Sequence, residues 1–127
     1  MQVQAITPIL NVSSLPASFA WFEAMGWKKL WDWPSCSEQK TFGAVGSGEC
    51  EIFLCQDGQG GRGVQQGQPA GVWMSLWVEN VDAVAAHCQQ ANISILRAPK
   101  NEPWGVREMH VAHPDGHLFR ISQSTCE

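Results

Sequence analysis

The residues best equipped for chemistry crowd into one stretch, Pro103 to Ile121, which reads PWGVREMHVAHPDGHLFRI. Three histidines in so short a span, His110, His113 and His117, invite a metal ion. His113 and His117, however, bracket a Pro-Asp-Gly reversal signal, so the turn itself would have to chelate. The fourth histidine, His87, belongs on a helix. All four are expected to be solvent-facing side chains of the hairpin and the helix. Cysteine chemistry is no better placed. The five cysteines (Cys36, Cys50, Cys55, Cys88, Cys126) are odd in number and lack any CxxC spacing, which argues against a disulfide framework and against a thiolate zinc site. A reducing cytoplasm suits them.

Aromatic chemistry stands out instead. Seven Trp and no Tyr among 127 residues depart far from average usage, and an indole, being large and carrying one N–H, is rarely buried completely. Trp104, beside Gly105 at the end of a polar loop and the start of a strand, is placed to contact something other than the core. Trp31 and Trp33 are same-face neighbours near the end of a strand. Such rings stack on flat molecules and attract cations over their faces, so a planar, partly cationic ligand suits them. Trp21, on a helix, and Trp27, at the start of a strand, are read as core.

Charge narrows the partners. A formal charge of −4, with eight Lys and Arg spread along the chain, leaves no footprint for a phosphate backbone, so no nucleic-acid partner is expected. No apolar run approaches the roughly 20 residues of a spanning helix, and no signal-like leader is recognisable, so a soluble cytoplasmic protein is expected.

These residues need elements to hold them. Val3–Val12 reads as a strand weakened by Pro8. Leu15–Met25 reads as a helix from its apolar period, with Ser13 or Ser14 as cap and Gly26 as stop. Strands follow at Trp27–Trp33, Thr41–Val45 and Glu49–Gln56, the last two joined through Gly46-Ser47-Gly48. Asp57–Gly71 holds six glycines and few apolar side chains, and is expected to be a mobile linker or lid. Beyond it come a strand at Val72–Val78, a helix at Val81–Gln90 capped by Asn80 or Asp82, a strand at Ile93–Ala98, and a hairpin of Val106–Ala112 and His117–Ile121.

The chain repeats itself. Displaced by 66 positions, Leu10 falls on Leu76, Val12 on Val78, Leu15 on Val81, Ala17 on Ala83, Ala20 on Ala86, Gly26 on Asn92 and Leu30 on Leu96. Each half reads strand, helix, three strands. The expected organisation is a single 1–127 domain of two modules, 1–56 and 72–127, around the 57–71 linker, with the halves curled about a shared cleft.

The duplicated pattern and the closing PWGVREMHVAHPDGHLF resemble the glyoxalase/bleomycin resistance proteins of the vicinal oxygen chelate superfamily. The resemblance spans essentially the whole chain, and its most specific part is Pro-Trp-Gly followed by Arg-Glu and then Pro-Asp-Gly-His. It implies an α+β fold of two βαβββ modules forming a U-shaped mixed sheet, usually in a homodimer, with a ligand or metal in the concavity. Metal-dependent members take ligands from four inward strand positions, which fall here at Thr7, Phe53, Trp73 and Arg120. None is a usual metal ligand, and a guanidinium would repel a cation, so a metal-free member without cofactor is expected. Glu51 and Cys55 share the strand face of Phe53.

Alternation then puts Trp73, Ser75 and Trp77 on one face, with Thr7, Phe53 and Arg120 toward the same concavity. By the resemblance, Trp104 matches a tryptophan that lies against a bound drug's flat rings. Arg120 is either a clamp for a carboxylate or carbonyl, or is neutralised by Glu51. The function expected is binding and sequestration of a planar, partly cationic aromatic compound such as an antibiotic, whether that serves antibiotic resistance, transport or biosynthetic self-protection. The alternative is an enzyme of glyoxalase, isomerase or dioxygenase type, either metal-dependent or a metal-free lyase with Glu51 or Cys55 as base and Arg120 as stabiliser.

Overall fold

The computed structural model describes residues 1–125; Cys126 lies outside the described residues. The chain divides into two compact units, Met1–Gly61 and Arg62–Glu127. Each is a βαβββ module, as the repeat requires.

In the first unit, β1 (Ile9–Val12) leads into α1 (Leu15–Met25), and β2 (Lys28–Trp33), β3 (Phe42–Ser47) and β4 (Cys50–Gln56) follow. The sheet order is β1-β4-β3-β2, with β1 parallel to β4 and the other pairs antiparallel. One face carries Leu10, Val12, Val45, Ile52 and Leu54, all buried along with Leu15, Phe19 and Phe22 of the helix. Gly43 makes this packing possible, because a Cβ there would collide with the Phe19 ring and lie 2.9 Å from the Trp31 carbonyl oxygen. Trp21 and Trp27 pack edge-on to Phe22, at centroid distances of 5.1 and 5.5 Å.

The first strand is shorter than the apolar run suggests. Proline has no N–H to give to a ladder, and pairing begins only past it, with the Pro8 carbonyl accepting from the Phe53 N–H at 2.9 Å. Thr7 therefore precedes the strand.

The second unit opens with a small ribbon, β5 (Val64–Gln65) and β6 (Gln68–Pro69), before β7 (Trp73–Trp77), α2 (Val81–Gln90), β8 (Ile95–Glu102), β9 (Val106–Ala112) and β10 (Leu118–Ser124). Its order, β7-β10-β9-β8, repeats that of the first sheet, with β7 parallel to β10. Met109, Val111, Phe119 and Ile121 are buried with Val81, Ala85 and Cys88 of α2. Strand β8 runs on to Glu102, past the Ala98 expected, and passes Pro99 at a register shift of this edge strand.

Both helices are capped twice by the same device. Ser14 Oγ accepts from the Ala17 N–H and Asn80 Oδ1 from the Ala83 N–H. In addition Gln56, at the end of β4, accepts from the Leu15 N–H at 2.8 Å, and Gln123, near the end of β10, accepts from the Val81 N–H at 2.6 Å. Two of the orphan donors of each first turn are thus satisfied. The stops also correspond: Gly26 has φ 100° and Asn92 φ 58°, both left-handed.

The Gly-rich segment, expected to be a mobile linker or lid, contains the division between the two units and is hydrogen-bonded on each side of it. Apolar burial is not what orders it; hydrogen bonds are. Asn11 accepts from the Gly58 N–H and donates to the Gly60 carbonyl, while Asp57 N–H reaches the Val12 carbonyl. On the other side, Gly63 N–H donates to the Asp115 carbonyl and Gly71 N–H to the Gly116 carbonyl. Gly116, at φ 82°, leaves no room for a Cβ beside the Gly63 carbonyl oxygen.

Candidate functional site

Helix α2 covers one face of the second sheet, and register determines what stands on the other. Trp73 pairs with Leu118, Ser75 with Arg120 and Trp77 with Ser122. Arg120 in turn pairs with His110, and Ser122 with Glu108. Because residues opposite one another share a face, Trp73, Ser75, Trp77, Glu108, His110, Arg120 and Ser122 form one continuous surface. Its indoles are open: Trp73 is 67% exposed, Trp77 65%, and Trp104, in the turn between β8 and β9, 59%.

At the centre lies Glu108, whose side chain is only 5% exposed. Its Oε1 accepts from Trp104 Nε1 at 3.2 Å, and its Oε2 meets His110 Nε2 and Arg120 Nε, each at 2.9 Å. Burial alone would push this carboxyl upward in pKa. The hydrogen bonds from His110 and Arg120, with the guanidinium charge, outweigh burial and hold it below the ordinary glutamate range. The carboxylate therefore stays ionised and fixes three side chains at once. Ser122 Oγ, buried beside it in register, has no hydrogen-bond partner among the described residues.

Arg120 thus finds its carboxylate in Glu108 of its own hairpin rather than in Glu51. Sequence reasoning passed over Glu108 because an isolated carboxylate in an alternating strand reads as solvated. The available signal was its even spacing with His110, Ala112 and, across the turn, Arg120. Beside the Glu108 network, a shallow depression of about 220 Å³ is lined by Trp73, Met74, Ser75 and Arg120.

The hairpin histidines depart from expectation. His113 and His117 do not face solvent; both are buried, with ring centroids 5.4 Å apart. His117 Nδ1 accepts from the Val72 N–H at 2.9 Å, and His113 Nδ1 accepts from the Asp115 N–H at 3.0 Å. Here each imidazole takes the place of a backbone acceptor, which a tight turn lacks. Burial, with the charge of His117 adding to it, lowers the His113 pKa to about 4, so the ring is neutral at pH 7. His87 is exposed on its helix.

In the first unit the face away from α1 carries a self-contained aromatic group. Trp31, Phe42 and Phe53 stand 5.4–5.5 Å apart, centroid to centroid, over Ala44, which they bury. Trp33 is exposed at the end of β2. Glu51, opposite Gly46 in the ladder, borders a larger depression of about 510 Å³ whose lining includes Lys28, Leu30 and Glu49. No aromatic side chain lines that hollow.

The four positions that the resemblance assigns to metal ligands do not fit a metal. Phe53 is packed among rings, Trp73 and Thr7 offer no suitable donor, and Arg120 is a cation. Glu108 and His110 supply a carboxylate and an imidazole, but the guanidinium shares the same carboxylate oxygen. Among the described residues no group of three or more His, Cys, Asp or Glu side chains is placed to hold a metal ion, and no helix is long and apolar enough to cross a membrane.

A family model described as Glyoxalase/Bleomycin resistance protein/Dioxygenase superfamily matches residues 3–121. No curated protein matches. Among solved structures, TioX from Micromonospora sp. ML1 superposes with a TM-score of 0.79 at 18% identity, covering 96% of this chain and 99% of that one. A bleomycin-binding protein complexed with bleomycin gives 0.71 at 16% identity, with coverage of 96% and 99%. The bleomycin resistance determinant encoded on transposon Tn5 gives 0.74 at 17%, with coverage of 98% and 100%.

Proposed function

The chain belongs to the Glyoxalase/Bleomycin resistance protein/Dioxygenase superfamily, and on that premise we propose that it is a metal-free protein that binds and sequesters a planar aromatic small molecule such as an antibiotic. The observation that carries the reading is the open face of the second sheet, where Trp73, Trp77 and Trp104 are exposed around the Glu108 network. Three indoles left in water offer stacking surface and, over their faces, a place for a cationic group. The ligand is met in the cytoplasm by a homodimer.

Catalysis gains less support. A general base should titrate near working pH, whereas Glu108 is held ionised by its donors and pushed below the usual range. Three donors, Trp104, His110 and Arg120, already compete for its lone pairs.

The test is a titration of the seven indoles, by fluorescence or by their N–H resonances, against a panel of planar antibiotics. Saturable binding is expected, weakened roughly two- to tenfold by Trp104→Ala, the worth of one stacked ring at about 0.5–1.5 kcal/mol. A response unaltered by Trp73→Ala and Trp104→Ala, or no response across the panel, would sink the assignment.

A further inference from the structure

We propose that the depression beside Arg120 is a clamp for a planar carboxylate, so that the aromatic ligand presents an anionic group there; this rests on the binding reading above and specifies the ligand's chemistry. Glu108 engages the guanidinium through Nε alone, at 2.9 Å. A guanidinium has five donors in a rigid fork. Among the described residues the two terminal nitrogens of Arg120 have no partner, which leaves the Nη1–Nη2 edge free for two parallel hydrogen bonds.

The surroundings complete the clamp. Arg120 is 26% exposed, so its fork is reachable yet partly desolvated, which strengthens a charge-assisted bond. Ser75, directly opposite in register, contributes a hydroxyl to the same hollow, and Trp73 forms its wall. A carboxylate coplanar with an aromatic ring would meet the fork while the ring lies against the indole. Glu108 acts here as a positioning residue: by taking the Nε side it turns the fork outward. Two other cations share this face by register: Arg97, opposite His110, lies 3.5 Å from the Glu102 carboxylate, and Lys100, opposite Glu108, is exposed.

The experiment titrates the full chain with three probes that share one ring system and differ in one substituent: naphthoate, naphthamide and naphthylmethylammonium. Indole and arginine Nε N–H resonances report binding. Naphthoate is expected to bind at least about tenfold more tightly than the ammonium, as two charge-assisted bonds warrant. In Arg120→Gln that advantage should collapse below about twofold, with naphthamide affinity little changed. Arg120→Lys, which retains the pair with Glu108 but has no fork, guards against misfolding of the first variant and should lose most of the preference. Equal binding of all three probes, tightest binding of the ammonium, or a naphthoate preference that survives both substitutions overturns the clamp while leaving stacking intact. If no probe moves any indole resonance, stacking and clamp fall together.

Discussion

Replacing Glu108 with Gln isolates what one charge does at the centre of the open face. The side chain keeps its shape, but the carboxylate that accepts from Trp104, His110 and Arg120 becomes an amide with one acceptor oxygen and one donor nitrogen. At least one of the three partners must then face an N–H. Hydrogen bonds to a charged group contribute about 1.5–3 kcal/mol and neutral ones about 0.5–1.5 kcal/mol. Because an amide oxygen in the place of Oε2 can keep His110 and Arg120 only as bonds to a neutral acceptor while Trp104 loses its own, and the losses are not additive, a deficit of about 2–3 kcal/mol at pH 7 is expected. For a chain of this size that lowers Tm by roughly 6–12 °C.

The pH dependence makes the test specific. The folded-state pKa of Glu108 lies below its ordinary value. The stability it contributes is therefore present above the unfolded pKa, near 4.5, and is lost as pH falls through the folded pKa. Denaturant titrations of both proteins at pH 7, 5 and 3 should show the deficit of Glu108→Gln shrinking only at the acid end. A deficit that stays constant from pH 7 to pH 3, or one below about 0.5 kcal/mol at neutral pH, would refute the claim that an ionised carboxylate organises this face.

Other consequences are as open to measurement. His113 is neutral when folded, with a pKa of about 4, and unfolding restores an ordinary imidazole; native stability should fall as pH drops from about 6.5 toward 4, by up to about 1.4 kcal/mol per unit. In His113→Asn, whose side-chain oxygen can still accept from Asp115 N–H, that slope should vanish, and an unchanged slope would point to another group. Gln123→Ala and Gln56→Ala should each cost about 1 kcal/mol in chemical denaturation, one helical N–H being left without its acceptor. Equal stability of either variant would mean that water replaces the side chain. Gly43→Ala should cost about 1–3 kcal/mol by driving Phe19 from its place, even though the backbone there suits alanine; a neutral result would show that α1 can shift.

The architecture was legible wherever local rules and the repeat agreed. Caps, stops and apolar periods located α1 and α2 to the residue, because Ser14, Gly26, Asn80 and Asn92 act within one helical turn. Strand ends were harder. Pro8 shortens β1, while β8 gains residues through pairing with β9, which is not encoded in its own alternation. The site was half visible. Period two placed Trp73, Ser75, Trp77 and Arg120 on one face, but Glu108 becomes buried only through partners on β10 and in the preceding turn. His113 and His117 were misread for a related reason: polar side chains near a turn are usually wet, and these are drawn inward by backbone N–H groups of Asp115 and Val72.

In each module the strand that comes last in sequence lies inside the sheet, against the first strand on one side and its hairpin partner on the other. The glutamine near the end of that strand is also what closes the first turn of the helix. Neither helix nor edge strand can be completed by neighbouring sequence alone, so nothing short of the whole module gives a finished intermediate. Insertion of the last strand supplies the parallel pairing, the helix cap and its own core side chains, Ile52 and Leu54 in one module and Phe119 and Ile121 in the other, in one event, which couples them into a single cooperative opening unit. In the second module Trp73 and Trp77 stand on the first strand and are held in register by the last, which carries Arg120, so this face comes apart only when that unit opens.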